Sequence, residues 1–260
     1  MNSGGAMLDE TTTHPARRLL RLWDDQQAAY VANREDRFTA MLDVLRLLLP
    51  DDLTVLDLAC GPGAISDRVL GVLPNARAIA VDYDPILLHV ARGVLTEYGE
   101  RAQVHEVDLV APDWSRFLDG RRVDAVLSST ALHWLSPVQL LRVYTAAAEL
   151  LPPGGILLNA DHLRFAPSTT LHDLAQWHDA KVQRAGFAGG ALDYQQWYDE
   201  ALADPEIAPL AVERERRFAD RPPQPSASLE FHLAALRTAG FAEVGTVWQH
   251  LDDYVVFARR

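Results

Sequence analysis

Lysine is almost missing from this chain of 260 residues: Lys181 is the only one, and arginine supplies the rest of 24 basic residues against 36 acidic ones. The resulting formal charge of -12 is spread along the chain rather than gathered in one tail. A general attraction to nucleic acid phosphates or to anionic membrane surfaces is therefore not expected. Cysteine is as scarce, since Cys60 stands alone, and no internal disulfide framework can be built. Long apolar runs are lacking too; none approaches the roughly 18 to 20 residues that span a bilayer. Met1 to His14 is polar, without the apolar stretch of a signal peptide. These absences lead us to expect a cytoplasmic protein that meets small molecules, with neither nucleic acid nor membrane as partner; a homodimer is compatible with them.

What is present is a hydrophobic content of 48%, enough to fill one large domain or a domain with a lid. A disordered tail is expected over 1–16. Helical periodicity then runs from Arg17 to Leu49, clearest at Phe38, Met41, Leu42, Leu45 and Leu49, and Pro50 with Asp51 and Asp52 stops it. The short apolar run Leu53 to Leu58 is followed by Gly61-Pro62-Gly63 and a new helical pattern in Ile65, Val69 and Val72. That reads as strand, turn, helix. Strands are expected at Arg77 to Val81, Ala102 to Val107, Val123 to Ser128 and Ile156 to Ala160, with helices at Pro85 to Leu95 and Val138 to Leu150. Such alternation implies a parallel sheet covered on both faces.

The alternation lapses after Asp161, and aromatic residues crowd the following segment: Phe165, Trp177, Phe187, Tyr194, Trp197 and Tyr198. We read 162–225 as an inserted lid, closed by the breaker-rich Arg221-Pro222-Pro223-Gln224-Pro225. A helix from about Ser228 to Thr238 and two strands, Ala242 to His250 and Tyr254 to Ala258, complete the chain over 226–260. The tight connection at Asp252-Asp253 can join only antiparallel neighbours.

In an open parallel sheet, ligands bind beyond the carboxyl ends of the strands, and the first strand-to-helix turn is the usual grip. Here that turn is Asp57-Leu58-Ala59-Cys60-Gly61-Pro62-Gly63. Gly61 and Gly63 let a ligand approach the backbone, and Asp57 can orient the loop. The second strand ends at Asp82, where a carboxylate would accept from two ribose hydroxyls, and the third is followed by Asp108, which can accept from an adenine amino group. Capping of the next helix competes for Asp82, with Asp84 the rival cap. A nicotinamide dinucleotide would want a third glycine near Ser66, which is absent.

These segments resemble the class I S-adenosylmethionine-dependent methyltransferases. The matching pieces are Val55 to Gly63, Ala80 to Pro85, Val107 to Leu109, Leu127 to Trp134 and Leu151 to Gly155. The resemblance implies an α/β, Rossmann-like seven-stranded sheet with an antiparallel last strand, helices on both faces and a helical lid insertion, the cofactor core lying within 17–161. It implies S-adenosyl-L-methionine as cofactor, ribose on Asp82, adenine near Tyr83, Asp108 and Leu109, and the methionine part around Ala59, Gly61 and Ser129. Ala59 departs from the family's usual glycine.

The fourth strand end, Ser-Ser-Thr-Ala-Leu-His-Trp-Leu from Ser128, is similar to small-molecule enzymes of the trans-aconitate methyltransferase type. It implies methylation of a small metabolite at oxygen, a carboxylate or a hydroxyl. His133 is the candidate general base or hydrogen-bond donor, Trp134 shapes the acceptor pocket, and His162 lines it. A hydroxyl acceptor needs a base; a carboxylate needs only positioning by Arg34 or Arg37. The helix carrying Tyr30 and Arg34 is expected to fold over the cofactor. The lid aromatics suggest an aromatic or apolar acceptor. His172 and His178, six apart, would sit on different helix faces, so no metal is expected. The rival reading is a binding protein of the same fold that transfers no methyl.

Overall fold

The computed structural model describes residues 14–221 and 227–260. Two helices, α1 (Pro15–Tyr30) and α2 (Arg34–Leu48), precede the sheet. The core then alternates β1 (Thr54–Leu58), α3 (Ala64–Val72), β2 (Arg77–Asp82), α4 (Pro85–Leu95), β3 (Ala102–Glu106), β4 (Ala125–Ser129), α5 (Pro137–Leu150) and β5 (Ile156–His162). Three helices follow, α6 (Thr170–Ala188), α7 (Tyr194–Leu202) and α8 (Leu210–Phe218), before α9 (Leu229–Thr238), β6 (Glu243–His250) and β7 (Asp253–Arg259).

The strands form one seven-stranded sheet in the order β3-β2-β1-β4-β5-β7-β6. β1 pairs in parallel with both β2 and β4, so the strand order reverses there and the crevice for a ligand opens at the carboxyl ends of those strands. β7 runs antiparallel to both β5 and β6. The two-residue link is Leu251-Asp252, one position earlier than the sequence suggests, because Leu251 takes the left-handed conformation at φ 53.

Both faces of the sheet are covered. Val55, Ala78 and Leu127 pack with α1, α2, α3, α4 and Trp197 of α7, while Leu56, Ile79 and Val126 pack with α5 and α9. Burial on both sides is why β1 reads as a nearly continuous apolar run rather than an alternating one.

The N-terminal region differs from the sequence expectation in two ways. Of the tail expected over 1–16, residues 1–13 lie outside the described residues, but Pro15 and Ala16 already belong to α1, and Ala16 is buried. The single helical stretch from Arg17 to Leu49 is two helices. Asn33 adopts φ 56 and ψ 33, a left-handed conformation that asparagine tolerates and that turns the chain. Of the breaker segment, 222–225 lies outside the described residues. Among the described residues, no helix is long and apolar enough to cross a membrane.

Candidate active site

The glycine loop is held by backbone bonds that fix its shape before any ligand arrives. Cys60 N donates to Val81 O at 2.9 Å and Gly63 N to Cys60 O at 3.0 Å, which ties the turn after β1 to β2. Ala59, Gly61 and Gly63 all have positive φ, at 51, 57 and 91°. Ala59 therefore bears a strain that glycine would not, a physical reason for glycine being usual at that place. The indole of Trp23, from α1, lies 3.8 Å from where a Cβ at Gly61 would stand.

Asp57 is fully buried in β1 and one of its oxygens accepts from the Ser66 hydroxyl at 2.8 Å and the Ser66 amide at 3.3 Å. Its other oxygen, Oδ1, is buried without a partner among the described residues. Burial pushes its pKa up to about 7, with Ser66 opposing and Asp82 adding to the rise. Asp82 accepts from Gly61 N at 2.8 Å through one oxygen and from Tyr83 N and Asp84 N at 2.7 and 2.8 Å through the other. It shapes the loop, and α4 is capped instead by Asp84, which accepts from Ile86 N and Leu87 N. Asp108 holds its own turn through Val110 N at 3.0 Å, and Leu109 packs beside the second apolar cluster. Ser129, at the end of β4, places its hydroxyl 3.3 Å from that of Thr130.

Across the crevice stands a histidine and carboxylate pair. His133 Nδ1 lies 2.6 Å from Asp161 Oδ1, and the His133 amide donates to Oδ2 at 3.1 Å. Asp161 is wholly buried at the end of β5. Burial opposes its charge, but the charge and hydrogen bond of His133, together with Arg37, outweigh it and hold the carboxyl below its ordinary value. A carboxylate at Nδ1 fixes the proton there and leaves Nε2 with its lone pair. The Trp134 ring sits 5.4 Å from the His133 ring and is more than half exposed.

The remaining candidates take other roles. Burial, aided by Arg37 and Arg164, lowers the His162 pKa to about 3, so this imidazole stays neutral and is no proton acceptor near neutral pH. Arg37 is fully buried, donating to Asp253 through Nε at 2.7 Å and through Nη2, and to Thr130 Oγ1 at 3.1 Å. Arg34 is bonded to Asp24 at 2.6 Å and lies over the Phe38 ring. Neither arginine is left over for an acceptor carboxylate. Tyr30 packs against Phe187 of α6, 5.4 Å between ring centres, so Trp23 rather than Tyr30 is the α1 residue beside the glycine loop. Trp197 and Tyr198 are buried in the core, the indole donating to Leu19 O at 3.0 Å, while Trp177 is exposed. The lid aromatics thus divide between anchors and surface instead of forming one roof. His162, Asp179 and Asp252 bring possible ligand atoms within 4.8 Å of one another, and Arg164 Nη1, 2.6 Å from Asp179 and 3.3 Å from Asp252, bridges the two carboxylates.

Sequence reading found the loop and its acids but not Asp161 as the partner of His133, nor Trp23 as the cover of Gly61. The signal for Asp161 was available, since it is an acid at a strand end just as Asp82 is.

An open sheet with its strand reversal at β1, a glycine loop there and acids on the neighbouring strand ends defines a nucleoside-binding α/β protein. The model of a family described as "Methyltransferase domain" matches residues 55–155. The trans-aconitate 2-methyltransferase of Azoarcus sp. (strain BH72) is 31% identical over 136 residues, which is 52% of this chain and 49% of that protein. The malonyl-[acyl-carrier protein] O-methyltransferase of Bacillus cytotoxicus is 27% identical over 35% of this chain and 30% of its own length. The chain thus spans about half or less of the curated relatives it matches. In fold it is similar to a putative O-methyltransferase from Nostoc punctiforme (TM-score 0.59, 16% identity, 99% of this chain and 64% of that one). Human N-acetylserotonin methyltransferase, solved with S-adenosylmethionine, gives a TM-score of 0.54 at 15% identity over 95% and 56% of the two chains. Residues 55–155 thus match a methyltransferase-domain family, and the fold around them is the one that S-adenosylmethionine-dependent methyltransferases share.

Proposed function

We propose that the protein transfers a methyl group from S-adenosylmethionine to a hydroxyl oxygen of a small-molecule acceptor. The observation that carries the choice of a hydroxyl is the bond between His133 Nδ1 and buried Asp161 at 2.6 Å. An alcohol or phenol must lose its proton as the new bond forms, and His133 Nε2, the ring nitrogen not engaged by Asp161, would take it. A carboxylate would need a cation instead, and Arg34 and Arg37 are already bonded to Asp24 and Asp253.

The residues at the crevice fit the cofactor. The unpartnered Asp57 Oδ1 offers an acceptor to the cationic amino group. Asp82, whose oxygens already face the loop, would take the ribose hydroxyls. Ala59, Gly61 and Ser129 would line the methionine part, and Tyr83, Asp108 and Leu109 the adenine. When bound, the cofactor would supply an activated sulfonium methyl, its sulfur leaving as a neutral thioether. His133 removes the acceptor proton and Asp161 stabilises the imidazolium. Glycine-loop amides and the strand ends keep the reacting groups aligned, which is the larger part of the work for so activated a donor.

Calorimetric titration with S-adenosylhomocysteine tests the cofactor half. Binding in the micromolar range, lost on Asp82→Ala, is expected; absence of binding to the native protein overturns the proposal. With hydroxyl acceptors, Asp161→Asn and His133→Ala should lower kcat by about 10²- to 10⁴-fold, the usual worth of a positioned base. Retained cofactor affinity would separate that loss from misfolding. Undiminished turnover of a hydroxyl acceptor by His133→Ala would exclude the base.

A further inference from the structure

α8 is attached to the rest of the molecule in an unusual way. None of its residues is fully buried, and its apolar contact with the core comes from the partly buried Leu210 at its first turn. Its grip is a row of arginines, Arg214 and Arg217 with Arg221 just beyond the helix, at spacings of three and four that put them on one side. Arg214 Nε donates to Asp84 Oδ2 at 2.6 Å, beside the Tyr198 hydroxyl on the same oxygen at 2.9 Å. Arg217 donates to the carbonyl of Tyr83 at 2.7 Å, reaches Glu106 at 2.7 Å and lies 4.9 Å from the centre of the Tyr83 ring. Arg221 is 5.2 Å from that ring and 3.8 Å from Asp108. Phe218 adds a ring 6.0 Å from Tyr83.

The acids at this end of the sheet are Asp82, Asp84, Glu106 and Asp108. The arginine row takes up Asp84, Glu106 and Asp108 and leaves Asp82, which is held by backbone amides instead. The one acid not matched with an arginine is the one assigned to the ribose. Tyr83, on which Arg217, Arg221 and Phe218 converge, is the residue assigned to the adenine.

We propose that α8 is the outer wall of the nucleoside half of the cofactor site, and that Arg217 is its positioning residue, acting through Tyr83. The proposal rests on the cofactor reading above and assigns the last helix of the insertion to the donor rather than to the acceptor. Arg217 touches no reacting atom. It fixes the backbone and ring of Tyr83 next to Asp82, and without it Tyr83 loses both its carbonyl partner and its cation.

The test compares two ligands on the intact protein: S-adenosylhomocysteine, and 5′-methylthioadenosine, which keeps the nucleoside and lacks the amino acid. Arg217→Ala is expected to weaken both by about tenfold, equivalent to about 1.4 kcal/mol. Asp57→Asn should weaken the first and leave the second unchanged. Arg46→Ala, which removes a surface pair with Asp43 at 3.5 Å, should change neither. If Arg217→Ala lowers the melting temperature so far that binding cannot be read, Arg217→Lys decides the matter. A lysine keeps a charge for Glu106 but not the simultaneous bond to the Tyr83 carbonyl, so both affinities should still fall. Unchanged affinity for both ligands in a folded Arg217 variant overturns the assignment of α8. If the native protein binds neither ligand, it is the cofactor reading that fails.

Discussion

A carboxyl in the middle of an apolar strand is costly unless something answers it. Asp57 is answered only in part, by Ser66 on one oxygen, and burial raises its pKa to about 7. The folded value lies above the unfolded one, so its protonation favours folding. That contribution is complete below about pH 4 and is lost as pH rises through about 7. An ammonium group arriving at Oδ1 would favour the anion. Binding of S-adenosylhomocysteine should therefore release a proton below neutrality, and affinity should climb as pH passes about 7 and then level off. Calorimetry in two buffers of different ionisation enthalpy reads the proton directly, and Asp57→Asn should abolish the dependence. Affinity that is flat from about pH 6 to about pH 8 in the native protein would refute this role. At this scale the sequence was informative about Asp57, Asp82 and Asp108, because strand ends can be located from periodicity. It did not pair Asp161 with His133 or Arg37 with Asp253, since each pairing depends on which strand ends meet in space.

The elements were largely legible, because alternating strands and helices carry their own punctuation. The exception is instructive: α1 and α2 share one apolar rhythm, and only the left-handed Asn33 divides them. Their packing was not legible either. α1 crosses α6 so closely that a Cβ at Gly186 would stand 2.5 Å from the Ala29 Cβ and 2.9 Å from its Cα. One of these atoms belongs to backbone and cannot swing aside. Gly186→Ala should therefore destabilise the protein by about 1–3 kcal/mol, although alanine favours a helix over glycine by about 1 kcal/mol. Chemical denaturation measures the loss. Gly245→Ala on β6, where nothing lies within 4 Å, should be nearly neutral. A neutral or stabilising Gly186→Ala would mean that α1 and α6 do not meet as described.

The molecule as a whole joins segments far apart in sequence at one crevice: Trp23 from α1 over Gly61, the loop after β1, the acids of β2 and β3, and α8 on Tyr83. The sheet order follows from repeated strand and helix units, so this much could be anticipated. The insertion could not, since the tie of Trp197 to Leu19 O and those of Tyr198 and Arg214 to Asp84 are tertiary facts without local signature. Their consequence is that cofactor binding should be felt well beyond the loop. Ligand at 100 times its Kd adds about 2.7 kcal/mol of stability, and elements docked mainly by polar contacts have the most protection to gain. Hydrogen exchange with and without S-adenosylhomocysteine should show slowed amides in α8 and in α1 near Trp23, as well as in 56–63 and 82–84. Slowing in Arg217→Ala should persist in the loop and vanish from α8. Protection confined to the loop and Asp82 in the native protein would mean that α1 and α8 stand beside the cofactor site without forming part of it.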